Sequence, residues 1–184
     1  MPWDRFVLGY HGCDRSIVND VVTGKCGLRV SHNDYDWLGN GIYFWEDSYQ
    51  RASQWAHQSK QIEQPAVIGA VINLGHCLNL LDVEHLETVR IAYQTLKRTA
   101  AQAETFMPAN RGKTFKDRKL DCAVIETLHR MREEESLEPY QTVRGFFVEG
   151  EELYEGAGLR HQDHIQLCVR DTACIVGFFL PRIR

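Results

Sequence analysis

The chain has 184 residues, 43% hydrophobic and 25% charged, with a formal net charge of −4. That is the length and balance of one globular domain whose core can stand without cross-links. It excludes a generic nucleic-acid coat, which needs a net positive surface, while leaving room for a local basic patch.

Residues 5–11 (RFVLGYH) form a short apolar run that predicts a buried strand. Residues 14–23 follow as a helix, with Ile17, Val18, Val21 and Val22 on one face and Gly24 as its stop. A polar loop over 31–41 leads into a strand-like aromatic run, IYFW, at 42–45. Asp47 predicts the N-cap of a helix reaching about Lys60, with Ala52, Trp55 and Ala56 inward. Residues 66–74 (AVIGAVINL) are the clearest strand. A long helix runs from Asp82 to about Gln102, striped by Leu86, Val89, Tyr93 and Leu96. Residues 108–119 read as a loop, and Asp121 as the cap of a further helix. In the last third, 142–149, 164–170 and 174–180 predict strands, the last two about a hairpin length apart. A long loop fills 150–163. Strands and helices mix without a regular βαβ wind, so the fold class is α+β, in a single domain.

The chain opens MPWDRFVLGYHG, without a basic leader ahead of an apolar run, and no stretch reaches the length of a membrane span. The expectation is a cytoplasmic protein that does not engage membranes. Six scattered cysteines make no CxxC pair, which predicts free thiols in a reducing compartment. His161 and His164 are metal-type residues without an evident third ligand, so no metal is expected.

Three places combine a strand with glycine and polar or aromatic side chains. In GYHG (9–12), alternation puts Val7, Gly9 and His11 on one face, and Gly12 lets a ligand reach the backbone. In GNGIYFWED (39–47), Tyr43 offers an aromatic face to a flat ring. In HIQLCVR, Ile165, Leu167 and Val169 share one face, and His164, Gln166, Cys168 and Arg170 the other. Taken singly, each reads more readily as a strand of the core or edge. Arg111, Lys113, Lys116, Arg118 and Lys119 form a basic stretch, either a solvated loop or a contact for the phosphates of NAD or a nucleic-acid acceptor.

Together the three places stand in a known order. YHG followed by GNGIYFWEDSYQRASQWA resembles the poly(ADP-ribose) polymerase and diphtheria-toxin branch of the ADP-ribosyltransferases. The likeness covers residues 6–57 well and 142–180 by strand order alone. It implies a split antiparallel β core with flanking helices, and makes 76–140 a helical insertion in the middle third. It implies that NAD is the substrate, with no metal. His11 would bond a ribose of NAD, Gly12 would clasp the nicotinamide carboxamide, and Tyr43 would stack on the nicotinamide ring. Trp55 is the nearest candidate for the family's second aromatic, whose expected position holds Gln54. Arg51 stands where a small hydroxyl residue usually contacts the carboxamide, and Ser31 and Asn33 lie where the family contacts the distal ribose and adenine. The family's third residue, a glutamate, aligns with His164, Ile165 or Gln166; Ile165 faces with the apolar set, so Gln166 is the choice, and Glu149 is the reserve carboxylate, ahead of Glu151, Glu152 and Glu155. A glutamine accepts a hydrogen bond but brings no charge to an oxocarbenium ion. The resemblance therefore implies transfer of a single ADP-ribose to a macromolecular acceptor, protein, RNA or DNA. In a toxin or effector setting, an antitoxin or immunity partner would accompany it. NAD hydrolysis and an inactive NAD- or ADP-ribose-binding module stand as alternatives.

Overall fold

The computed structural model of the chain describes residues 5–112 and 117–182, so Lys113 and Lys116 of the basic stretch lie outside the described residues. Strand β1 (Phe6–Asp14) outruns its apolar pattern because its whole length is paired with a later strand. The Asp14 carboxylate accepts the Ser16 amide at 3.0 Å and starts α1 (Arg15–Val22), which buries Val18 and Val21. Next come β2 (Ile42–Glu46) and α2 (Tyr49–Gln58). Asp47 does not cap α2. It takes a left-handed turn, φ 52°, and Ser48 is the cap, accepting the Arg51 amide. Ala52 and Ala56 face inward, but Trp55 is 45% exposed, against expectation.

Strand β3 (Pro65–Asn73) matches the apolar run, while β4 (Cys77–Asn79) carries no pattern of its own. Helix α3 (Val83–Gln102) is capped by Asp82, which accepts the Glu84 amide at 3.0 Å. Helix α4 (Lys119–Glu134) starts two residues before Asp121. Its cap comes from a distant residue: Asn110 Oδ1 accepts the amides of Leu120 and Asp121 at 3.0 and 3.2 Å. Strands β5 (Thr142–Phe147), β6 (His164–Val169) and β7 (Ile175–Phe179) complete the chain. None of the four α-helices among the described residues is long and apolar enough to cross a membrane.

The strands form one continuous sheet in the order β4-β5-β6-β2-β1-β3-β7, where the resemblance implied a split core. Among the described residues only the β4–β5 pair is parallel. Strands β6 and β7 do not form a hairpin. Both flanks of β6 are taken by β5 and β2, so a short turn at Thr172–Cys174 sends the chain to the far edge, where β7 joins β3.

Alternation of side chains gives the sheet two covered faces. On one, Phe44, Ile68, Ile72, Leu167 and Val169 pack with Val18 and Val21 of α1. On the other, Trp45 and Val67 meet Ala52 of α2, while Leu78, Val143 and Cys168 meet Ala92 of α3 and Val124 and Leu128 of α4. Each large buried side chain stabilises the fold by roughly 1.5–3 kcal/mol. The middle third is therefore built into the sheet through β4 and covers its face through α3 and α4. Strands β2 and β5 are also tied on the α1 side by Arg144, which donates to both oxygens of Glu46 at 2.6 and 2.7 Å with each side chain 7% exposed.

Candidate functional site

The three sequence motifs arrive on neighbouring strands. Gly9 and Tyr10 of β1 pair with Glu46 and Trp45 of β2, and Tyr43 and Trp45 pair with Cys168 and Gln166 of β6. Helix α2 lies directly over this junction. A Cβ on Gly12 would come within 2.4 Å of the Ala52 carbonyl oxygen, so only glycine lets the helix settle that close.

A polar cluster sits on this α2 face. Arg51, 8% exposed, donates through Nη2 to Glu149 Oε2 at 2.6 Å and through Nη1 to Gln54 Oε1 at 2.9 Å. Glu149 follows β5 on the same side as Phe147, and its Oε2 lies 3.9 Å from His164 Nδ1. That nitrogen is 2.7 Å from the Gln162 carbonyl. A carbonyl only accepts, so Nδ1 carries the proton. Burial, partly offset by that hydrogen bond, holds the His164 imidazole below its usual pKa. The Trp45 ring lies 6.3 Å from His164 and 5.9 Å from Trp55, and Trp37 and Phe147 stand 6.2 and 5.9 Å from His164. Arg118 covers Trp37 at 4.6 Å. Beside the cluster a polar cavity of about 380 Å³ is lined by Gln54, Gly150, Glu151, His161 and Gln162.

Gly12, Tyr43, Arg51, Trp55 and Gln166 thus belong to one face, and Gln166 is 9% exposed beside Trp45. His11 belongs to the other. Its ring lies 5.7 Å from Phe44 in the α1-side core, and its Nδ1 donates to the Tyr43 carbonyl at 2.7 Å. Burial lowers its pKa, with that bond opposing. The pairing of His11 and Tyr43 is therefore through backbone, and their rings lie on opposite sides of the sheet. The Tyr43 hydroxyl is engaged as well, donating to Gly39 O at 2.6 Å and accepting from Leu38 N at 2.9 Å. Burial raises its pKa far above that of a free phenol, so the hydroxyl stays neutral.

Ser31 bridges to Gly41 in the loop before β2, and Asn33 Nδ2 donates to Ser31 Oγ at 2.9 Å. They lie on the approach to α4 rather than in the cluster: Cys122 of α4 reaches the Asn33 carbonyl. Glu149 enters the cluster, while Glu152 and Glu155 stay on the exposed loop. Trp37, Trp45 and Phe147 were not singled out from sequence. Trp45 was detectable by alternation, two residues from Tyr43 on the same face; the other two come from a loop and a strand with no motif. Lys119 pairs with Asp34 and Arg118 with Asp121, while Arg111, the third described cation of the basic stretch, is exposed and bridges to Asp117 through its backbone. Among the described residues no three His, Cys, Asp or Glu side chains are gathered to hold a metal ion, and all six cysteines are free thiols.

No family model and no solved structure matches the chain. It is similar to an uncharacterized protein of Methanocaldococcus jannaschii, 27% identical over 106 residues, which cover 54% of this chain and 48% of that one. The chain thus spans about half the length of the curated relative it matches.

Proposed function

We propose that the chain is an NAD-dependent mono-ADP-ribosyltransferase, cleaving the nicotinamide–ribose bond and passing ADP-ribose to a macromolecular acceptor. The observation that carries this reading is adjacency. Motifs far apart in sequence lie side by side on β1, β2 and β6 with α2 across them, and a carboxylate stands among them.

The reaction has an oxocarbenium-like transition state, so the site must place negative charge near the ribose and hold the leaving group dry. Gln166 lacks charge, and Glu149 supplies it from just beyond the end of the neighbouring strand β5. Arg51 fixes the Glu149 carboxylate and keeps it from collapsing onto other donors. Tyr43 contributes its ring edge, with its hydroxyl spent on the 38–39 turn. His11 supports the Tyr43 backbone from the far face, and this reading gives it no contact with NAD. The acceptor attacks the anomeric carbon as nicotinamide leaves with the bonding pair, and the acceptor's proton passes to solvent.

The test is incubation with labelled NAD and a lysate, followed by protease or nuclease digestion. The expected product is a labelled macromolecule that one of the two digestions removes. No label at high protein load, with no NAD binding by calorimetry, would sink the reading. The hold of Arg51 on Glu149 favours one second reading, an NAD- or ADP-ribose-binding module. Tight NAD binding without nicotinamide release would mark it, whereas nicotinamide release without labelling would mark water as the acceptor.

A further inference from the structure

Helix α3 runs for 20 residues yet buries only Ala92 and Ala100. Its apolar stripe is short of partners because another cavity, of about 400 Å³, lies between α3 and α4. Leu86 and Val89 of α3, Leu120 and Val124 of α4, and the rings of Trp37 and Phe147 line it. Leu86, 49% exposed, marks its mouth. The volume falls within the roughly 300–1,000 Å³ of small-molecule sites. Walls of this kind hold water poorly, and such voids take apolar guests.

Four lining side chains carry polar groups, and they divide by charge. The charged ones are paired. Arg90 donates through Nε and Nη2 to Glu87 at 2.8 and 2.5 Å. Asp121 accepts from Asn110 Nδ2 at 2.8 Å and from Arg118 Nη1 at 3.1 Å. The uncharged ones are not paired. The Tyr93 hydroxyl and the Trp37 indole N–H, on half-buried side chains, have no hydrogen-bond partner among the described residues. A charged head group would displace one of the existing pairs or lie against it without a partner of its own. A neutral oxygen accepts from the hydroxyl or the indole at no such cost.

We propose that this cavity binds a neutral aliphatic molecule, a hydrocarbon or isoprenoid chain carrying a single hydroxyl or carbonyl oxygen. The chain lies against the branched side chains of the two helices, and its oxygen accepts from Tyr93 or Trp37. Branched aliphatic side chains outnumber rings in the wall, which suits a chain better than a flat ring system. The site makes no use of NAD, and none of its residues lines the polar cavity beside Gln54. Trp37 and Phe147 also stand 6.2 and 5.9 Å from the His164 ring, so an occupant touches two of the rings that wall the polar cluster.

The test uses the full ¹⁵N-labelled chain, titrated separately with hexanol, octanol, octanoate and octylamine. The expected result is saturable binding of one octanol per chain by calorimetry, with a shift of the Trp37 indole signal. Trp37→Phe identifies that signal, as does cross-relaxation with the Phe147 ring, 4.4 Å away. From hexanol to octanol, affinity should rise about fourfold per methylene. Octanoate and octylamine should each bind at least roughly 10-fold more weakly than octanol. Val89→Phe puts a ring into the space and should weaken octanol binding by at least about 10-fold while holding or raising Tm. Should Val89→Phe not fold, Leu86→Phe at the exposed mouth takes its place, and the alcohol series and the charged analogues need no variant. No saturable response to octanol up to its solubility limit overturns the proposal. So does equal binding of octanoate or octylamine, or full octanol binding by a folded Val89→Phe. Octanol binding that leaves the Trp37 indole unmoved overturns it as well, because the chain then sits elsewhere.

Discussion

Removing the charge of Glu149 separates its structural role from its proposed chemical one. Its carboxylate lies 2.6 Å from Arg51 Nη2, with the two side chains 14% and 10% exposed. Deleting one partner of a buried ion pair costs about 3–5 kcal/mol, because the other charge is left stranded. Glu149→Gln keeps an oxygen for Arg51, and both groups retain some solvent, so about 2–3 kcal/mol is expected. In a domain of this length, about 2–4 °C per kcal/mol turns that into a fall in Tm of about 4–12 °C. The double variant Arg51→Met, Glu149→Met strands no charge and should return to within about 1 kcal/mol of the parent. Urea denaturation measures all three proteins, and nicotinamide release from NAD measures turnover. The expected pattern is that the double variant regains stability and not turnover. A double variant as unstable as the single would refute the stranded-charge account. Full turnover in a folded double variant would refute a chemical role for Glu149.

Other outcomes follow from the same geometry. Gly12→Ala forces a methyl group to within 2.4 Å of the Ala52 carbonyl oxygen, so α2 must shift; a loss of about 2–4 kcal/mol in urea unfolding is expected, together with weaker NAD binding by calorimetry. Tyr43→Phe removes the bridge between Leu38 N and Gly39 O and should cost about 1–2 kcal/mol while leaving turnover near that of the parent; a large loss of turnover at full stability would mean that the hydroxyl touches substrate. His129 is held at a pKa of about 4 by burial and by Arg170, with Glu126 opposing. The unfolded chain binds that proton near pH 6.5, so stability rises with pH between about 4 and 6.5 and is lost by up to about 3 kcal/mol on acidification across that window. His11 and His164, also lowered, act with the same sign. His129→Gln should flatten the stability–pH slope by about one proton, and an unchanged slope would count against this assignment.

Patterns that depend on one element were legible in the sequence; those that depend on partners were not. Alternation on β1 and β6 correctly separated His11 from Tyr10 and Gln166 from Leu167, because it needs only a strand. What alternation on one strand could not give was how β1 registers against β2, and that register sets the His11 and Tyr43 rings on opposite faces. Strand β4 was invisible because three residues carry no period, and its pairing comes from β5, more than sixty residues on. The cap of α4 was assigned to Asp121 because a local acid is the usual signal, whereas Asn110 reaches it across a loop. Trp55 followed its aromatic character inward on paper, yet Ala52 and Ala56 leave α2 too close to the sheet for an indole between them. Glu149 could be named from sequence only as a reserve, since its place beside Arg51 arises from a contact spanning 98 positions.

The strand order has a consequence for how the protein is made. Tyr43 and Trp45 wait for Cys168 and Gln166, roughly 120 residues downstream, before β2 gains its second neighbour. At about 5–20 residues per second of synthesis, β2 spends on the order of 6–25 s with one open edge. Strand β3 waits slightly less long for β7. Arg51 likewise waits 98 residues for Glu149. A ribosome-bound fragment ending before β6 would hold β1, β2, α2 and the Glu149 carboxylate without the His164 imidazole that completes the cluster. The cluster on the α2 face is therefore complete only when almost all of the chain has left the tunnel.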